Sequence, residues 1–182
     1  MSSPTTDAWS HRLATEADLD TLRAVMGAAI RELQKAFLDP AQIASSAAIM
    51  GLDTSLVADR TYFVVAWDER IAGCGGWSRR RTLYGGDHTP GAQPELLDPV
   101  RDPARIRAMY THPAFARRGV GRMILGLCES AARAEGFRRA ELMATLAGVP
   151  LYTACGYQII ERVVDDRGGA PVPLARMSKP LT

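Results

Sequence analysis

Several features that place a protein in a special class are missing from this sequence. Its 182 residues contain no run of about 18 apolar side chains, so we expect no membrane-spanning helix and no membrane partner. The polar first ten residues lack the apolar stretch of a secretory signal peptide, which favours a cytoplasmic location. The formal net charge is only +2, too small to indicate a duplex-DNA-binding protein, and we expect no nucleic-acid partner.

Cysteine is also scarce. The three cysteines, Cys74, Cys128 and Cys155, are odd in number, far apart in the chain and set in apolar segments. This pattern favours small buried thiols over a disulfide or a metal site. We therefore expect no bound metal.

Internal repeats and interdomain linkers are missing as well. Hydrophobic residues make up 47% of the chain, which is typical of a globular protein with a sizeable core. One core of ordinary size is sufficient for a chain of this length. The sequence therefore predicts a single domain over residues 1–182.

The N-terminal third of the chain predicts a strand and two helices. Residues 9–13 are a candidate strand, and the capping-box-like pair Thr15 and Asp18 starts a helix with one apolar face. Asp39 and Pro40 begin a second helix, because Asp is a favoured N-cap and Pro fits the first turn. The pattern is then less regular as far as residue 60.

Strand patterns follow in the middle of the chain. Residues 62–67 and 71–77 flank a short polar turn, which predicts an antiparallel hairpin. Residues 81–103 combine glycine, aspartate and proline turn signals without a period, and we expect a long loop there. An apolar strand over residues 106–110 comes next.

The C-terminal part predicts a strand–helix–strand unit and a second hairpin. A helix after the apolar strand ends at Gly136, and a strand over residues 140–144 then forms, by the usual handedness, a parallel pair with the strand before the helix. A short helix over 149–155 precedes a hairpin of residues 157–164 and 172–177. The fold class is therefore α/β (α+β): a mixed, mostly antiparallel sheet with a central parallel strand pair, flanked by helices.

The most informative segment is the glycine loop at residues 116–122, which reads ARRGVGR between the apolar strand and the helix. Gly119 and Gly121 carry no Cβ, so the backbone can approach an anion, and the first free N–H groups of the helix point toward it. A hydrogen bond to a charged group contributes about 1.5–3 kcal/mol, whereas a helix dipole contributes roughly 0.3–1 kcal/mol. The loop thus predicts a diphosphate site in which backbone donation dominates. Its arginines add positive charge.

Three segments make the chain similar to a known family. They read MYTHP at 109–113, RRGVG at 117–121 and LYTACGY at 151–157. Together with the order of elements they resemble the GCN5-related N-acetyltransferases, and the resemblance covers nearly the whole chain. It implies an acetyltransferase of that fold, which uses acetyl-CoA and releases CoA. The Arg or Gln that leads the family's loop is replaced here by Ala116.

The resemblance also assigns residues to the cofactor. The glycine loop would hold the diphosphate, and the pantetheine would run beside the end of the strand over 106–110. In the family that strand splays from the next one, which leaves backbone groups free to pair with pantetheine amides. An Asn often follows the next strand in the family, where this chain has Thr145. The residues so assigned are Met109, Tyr110, Thr111, Arg117, Arg118, Gly119, Val120, Gly121, Arg122 and Thr145.

The resemblance further implies direct attack of an amine on the thioester, without a covalent intermediate. Tyr152 lies four residues before Gly156, at the place of the family's general acid, and would protonate the departing sulfur. Backbone N–H groups near Met109 or Thr111 would hold the thioester oxygen. The strand over 106–110 contains no acid, so the general base stays open. The candidates are Glu141, Asp87, His88 and Glu95.

The acceptor also stays open between a small-molecule amine and a peptide amine. In the family, substrate choice lies in segments that correspond here to residues 28–56, 83–103 and 165–171, and these carry few charges that would name a substrate. Homodimers are common in the family, but the sequence pattern does not decide between one chain and two.

Two other classes of function compete with an enzyme of this family. The Gly-x-Gly of the loop could begin a dinucleotide-binding fingerprint, but Ile124 replaces the third glycine and Glu141 falls inside a strand. The second is a non-catalytic module of the same fold, either a CoA-binding regulator or a domain that holds RNA with its arginines. The sequence alone does not exclude this second class.

Overall fold

The computed structural model of the chain describes residues 9–88 and 95–182. The strands are β1 (Trp9–Leu13), β2 (Tyr62–Trp67), β3 (Arg70–Ser78), β4 (Ala104–Thr111), β5 (Arg139–Thr145), β6 (Gln158–Asp165) and β7 (Val172–Pro180). The helices are α1 (Leu19–Leu33), α2 (Pro40–Ile49), α3 (Thr54–Ala58), α4 (Val120–Ala134) and α5 (Val149–Ala154). Single 3₁₀ turns precede α1 and α4.

The strands form one seven-stranded sheet in the order β1-β2-β3-β4-β5-β7-β6. Neighbouring strands are antiparallel except for the parallel pair of β4 and β5. The predicted fold class and both predicted hairpins are therefore confirmed. The chain order did not reveal that β7 lies between β5 and β6, because insertion of the last strand depends on pairing with a distant one.

Helix boundaries follow local chemistry at most positions. Asp39 caps α2 by accepting a hydrogen bond from the Gln42 N–H at 2.8 Å, and Pro40 occupies the first turn, as predicted. The stretch expected to be irregular contains α3, which Asp53 caps through the Ser55 N–H at 3.0 Å. A five-residue helix is too short to show a helical period in the sequence, so this element was missed.

The helices pack on both faces of the sheet. A Cβ on Gly73 of β3 would lie 2.5 Å from Val120 of α4, while the next residue, Cys74, packs in the cluster that holds Leu22 of α1. Because successive strand residues face opposite sides of a sheet, α1 and α4 lie on opposite faces. The α4 face contributes the larger cluster, which includes Trp77.

The cysteines contribute to these cores as free thiols. Cys74 and Cys128 are fully buried, and Cys155 is partly buried. Burial raises the pKa of the Cys74 thiol to about 12. Among the described residues, no three or more His, Cys, Asp or Glu side chains are grouped so that they could hold a metal ion. No helix in the described part of the chain is both long and apolar enough to cross a membrane.

A charged capping interaction fixes the start of α1. The Asp18 carboxylate accepts hydrogen bonds from the Arg12 guanidinium at 2.7 and 2.8 Å and from the Thr15 N–H at 2.8 Å. These bonds, that from Arg12 first, lower the pKa of Asp18 to about 2. In the unfolded chain the Asp18 carboxyl group has an ordinary pKa of about 4. The ionised carboxylate therefore contributes its full stabilisation to the folded state above that pH.

We expect Asp18→Asn to reduce the free energy of unfolding by about 1 kcal/mol at pH 7, a value reduced for the exposure of Arg12. The stabilisation by the carboxylate should be lost as pH falls from about 4 toward 2, where the wild-type group becomes protonated. Urea unfolding at pH 7, 4 and 3 measures this, with the fully exposed Asp20→Asn as control. A difference from wild type that does not shrink on acidification would contradict the assignment.

Candidate active site

The strands β4 and β5 separate soon after they meet. They pair only at Ala104 with Ala140 and at Arg105 with Glu141, although both strands continue for several residues. A cleft of about 740 Å³ opens where they diverge, and it is lined by residues from α1 on one face and from α4 on the other. The cleft therefore passes through the sheet between the two strands.

A β-bulge in β4 borders this cleft. Cys74 pairs with Tyr110 and Gly76 with Arg107, so the two residues Ala108 and Met109 oppose a single residue of β3. Ala108 has a φ of +49°, a conformation that costs energy for a residue with a Cβ. The buried Tyr62 hydroxyl donates to the Ala108 carbonyl at 2.6 Å and so holds the bulge in place.

The glycine loop presents free backbone donors beside the same cleft. Arg117 and Gly119 have φ values of +65° and +83°, and Arg118 between them has a negative φ. Such alternation turns successive N–H groups toward one side and forms an anion-binding nest. Within the described residues, the N–H groups of 117–122 donate to no protein acceptor, and that of Met123 is the first to bond, to the Gly119 carbonyl at 3.0 Å.

The two glycines of this loop are needed for different reasons. Gly119 adopts the left-handed conformation, and a Cβ there would meet no atom within 4 Å. Gly121 lies in α4, where a Cβ would come within 2.7 Å of the Leu151 side chain of α5. Gly119 therefore shapes the loop, whereas Gly121 lets two helices approach each other.

The three loop arginines do not act together. Arg117 and Arg122 line the cleft, and within the described residues neither forms an ion pair. The Arg118 guanidinium instead stacks over the rings of Trp67 at 4.8 Å and Trp9 at 5.2 Å. Two of the three loop arginines therefore lie on the cleft, and Arg118 does not line it.

Tyr152 is brought to the cleft by α5. Its side chain lines the cleft and its ring lies edge-on to Tyr157, with 5.9 Å between centroids. Burial raises the pKa of Tyr152 above its ordinary value, so the phenol keeps its proton. Thr145 also lines the cleft, and its hydroxyl oxygen accepts from the Gly148 N–H at 3.2 Å at the start of α5.

The remaining residues assigned to the cofactor lie on the same lining. They are Met109, Tyr110, Thr111, Gly119, Val120 and Gly121. Of the residues that the resemblance assigned to the cofactor, Arg118 alone does not line the cleft.

None of the four candidate bases lines the cleft. Glu141 is buried between Arg105 and Arg176, the latter at 3.1 Å, and Glu95 pairs with Arg81 at 3.2 Å. Asp87 accepts from the Thr54 N–H at 2.9 Å, and His88 contacts the Ala48 carbonyl at 2.7 Å. The described lining contains no Asp, Glu or His at all.

Sequence reasoning missed an ion pair that supports this site. Arg107, only 2% exposed, donates to the Asp53 carboxylate at 2.8 Å and to the Gly85 carbonyl at 2.9 Å. It thereby ties the start of α3 and the long loop to β4, directly before the bulge. An arginine within an apolar strand was the one available signal, since a buried charge needs a partner.

The sequence and the fold now identify the family. The sequence model of the acetyltransferase (GNAT) family matches residues 27–157, which is more than half of the chain. The chain therefore belongs to this family. No significant match is found among curated protein sequences.

Solved structures share the fold over nearly the full length. A GCN5-related N-acetyltransferase from Rhodopseudomonas palustris is 18% identical with a TM-score of 0.71, covering 94% of both chains. The yncA protein from Salmonella typhimurium, solved with its cofactor acetyl-CoA, is 18% identical with a TM-score of 0.65, covering 96% of this chain and 95% of its own. The PaiA N-acetyltransferase from Thermoplasma acidophilum, in complex with coenzyme A, is 13% identical with a TM-score of 0.63, covering 95% and 99%.

Removing the hydroxyl that holds the bulge should destabilise the fold. We expect Tyr62→Phe to lower the free energy of unfolding by about 1–3 kcal/mol, because the Ala108 carbonyl loses its donor. Urea denaturation followed by circular dichroism measures the change. Unaltered stability would show that the hydrogen bond is dispensable for the bulge.

Proposed function

We propose that this protein transfers the acetyl group of acetyl-CoA to an amine acceptor by direct attack on the thioester. One observation carries the proposal: a single cleft joins the free N–H groups of the glycine loop, the bulged edge of β4 and the buried Tyr152 phenol. Membership of the acetyltransferase family supports it. Acetyl-CoA and coenzyme A in structures of the same fold support the choice of cofactor.

The glycine loop has the chemistry that a diphosphate requires. Its N–H groups lack protein acceptors within the described residues, and Arg117 and Arg122 lack carboxylate partners there. Each hydrogen bond to a charged group contributes about 1.5–3 kcal/mol, so several together exceed the helix dipole. We assign the diphosphate of acetyl-CoA to this loop and the pantetheine to the edge of β4 at Met109, Tyr110 and Thr111.

Tyr152 is proposed as the acid for the departing sulfur. A phenol has a pKa of about 10 and a thiol of about 8.5, so complete proton transfer costs roughly 2 kcal/mol before burial is considered. Burial raises the pKa of Tyr152 and makes full transfer still less favourable. The phenol therefore acts by donating a strong hydrogen bond as charge develops on sulfur.

The bulge supplies donors for the thioester oxygen. Because Ala108 and Met109 together oppose a single residue of β3, the peptide groups there leave the regular ladder and border the cleft. We assign the oxyanion contact to the backbone N–H near Met109 or Thr111. Tyr62 and the Arg107 ion pair position this segment without contacting the reacting atoms.

A second candidate function is a non-catalytic CoA-binding or regulatory module. The lack of an Asp, Glu or His side chain on the described lining favours it, since no such group there could take the proton of an ammonium substrate. It shares the cofactor site and differs only in turnover. The Tyr152 experiment below separates the two.

Reversing the charge of either cleft arginine should weaken cofactor binding. We expect Arg117→Glu and Arg122→Glu each to raise the Kd for acetyl-CoA at least about tenfold, because each replaces an attraction to the diphosphate by a repulsion. Calorimetric titration measures the Kd. Arg133→Glu, exposed in the last turn of α4, is the matched control and should bind as wild type. Equal affinity in all variants would remove the diphosphate from this loop.

Removal of the Tyr152 hydroxyl should affect turnover and spare binding. We expect Tyr152→Phe to lower kcat about 10²-fold, as for loss of one acid or oxyanion donor, with the acetyl-CoA Kd unchanged. Thiol release under saturating cofactor measures kcat. An unchanged rate would exclude Tyr152 as the acid, and wild-type protein that binds acetyl-CoA but acetylates no amine would favour the non-catalytic module.

A further inference from the structure

One part of the cleft is lined mainly by apolar side chains, and the Gln34 amide beside them donates to the buried Ser46 hydroxyl at 3.1 Å. The apolar residues there are Ile30, Leu33 and Phe37 of α1 and the turn after it, together with Met50 and Leu83. We name these five residues the apolar arm. Phe37 is 48% exposed and lines the cleft, so its ring is accessible to an apolar ligand.

The charged residues of the same helix are segregated from this arm. Arg31, Glu32 and the nearby Lys35 line a separate shallow depression, where Lys35 pairs with Glu32 at 2.7 Å. Near its C-terminal end the helix thus has Arg31 and Glu32 on the depression and Ile30 and Leu33 on the cleft. A cation in the apolar arm would meet no carboxylate from α1.

Two acids that bond to residues of the lining are already paired with arginines. Asp53 pairs with the buried Arg107 at 2.8 Å, and Asp165 pairs with Arg167 at 2.6 Å while it accepts from the Tyr84 hydroxyl at 2.8 Å. Arg107 and Tyr84 stand between these acids and the cleft. The pKa of Asp165 is lowered to about 2 by the bond from Arg167, so its charge is already committed to that pair.

From this segregation we infer that the acceptor is a small primary amine on an uncharged apolar body, and that polycationic amines are rejected. The inference rests on the proposed function and deepens it. An apolar body gains by leaving water for the arm, whereas a second ammonium would lose its hydration without a counter-charge. Burial also favours the neutral form of the reacting amine, which compensates for the lack of an Asp, Glu or His side chain on the described lining.

The transfer consistent with this site balances without a further reactant. The nitrogen lone pair forms the N–C bond at the thioester carbonyl, and the C–S bond breaks with its electron pair on sulfur. The nitrogen loses one proton and the sulfur gains one. The products are the N-substituted acetamide and CoA.

A homologous series of amines tests the inference. With acetyl-CoA saturating, kcat/KM should rise about fourfold for each methylene from propylamine to hexylamine, the value for burial of one CH₂. Hexylamine should exceed 1,5-diaminopentane, which has the same number of heavy atoms but ends in an ammonium, by at least about tenfold.

A charge placed in the arm should reverse this preference. We expect Phe37→Asp to lower kcat/KM for hexylamine and to raise it for 1,5-diaminopentane. Val100→Asp adds the same charge at an exposed apolar residue outside the lining and should leave both substrates unchanged. Calorimetric acetyl-CoA binding, expected to be unaltered in both variants, confirms that they are folded.

The possible results distinguish an error in the acceptor class from an error in the proposed acetyltransferase function. Acetylation that is indifferent to chain length, or that prefers the diamine in the wild type, would overturn the apolar acceptor and leave the acetyltransferase intact. Binding of acetyl-CoA without acetylation of any amine would overturn both in favour of the non-catalytic module. Failure to bind acetyl-CoA would refute the cofactor site itself.

Discussion

The separation of β4 from β5 is the constraint on which the rest of the site depends. Two residue pairs hold the strands together, and the ladder stops before the bulge at Ala108 and Met109 of β4. The left-handed backbone of Ala108 is strained, and the hydrogen bond from the fully buried Tyr62 hydroxyl to the Ala108 carbonyl helps to offset that strain. Without the gap the sheet would be continuous, and no cleft could connect α1 with the glycine loop.

Charge around this gap is distributed in a way that suits the proposed chemistry. Arg117 and Arg122 remain without carboxylate partners in the described structure at the loop end of the cleft, where an anion is proposed. Elsewhere along the lining, the buried Arg107 is matched by Asp53. The cleft is therefore cationic at one place and nearly neutral at the rest, which suits the proposed diphosphate site and the proposed neutral amine.

The sequence predicted much of this arrangement, but not all of it. The glycine loop could be recognised because two glycines before a helix are a local pattern, whereas Tyr152 was assigned from the family resemblance by its place four residues before Gly156. Glu141 was a candidate general base because it is an acid on a central strand, but in the structure it pairs with Arg105 and Arg176. A side chain's charge is visible in a sequence, whereas its partner is not.

The sequence by itself determined the order of the strands and of the helices other than α3, the cap at Asp39, and the glycine loop between β4 and α4, because each depends on residues within a few positions. Only the tertiary structure decided that β7 enters between β5 and β6, that Arg118 stacks on Trp9 and Trp67, and that Gly121 makes room for Leu151. These contacts join residues far apart in the chain. They form only when the whole sheet and its helices pack together and each buried charge or ring finds a partner. A local sequence pattern does not specify which distant residue that partner is.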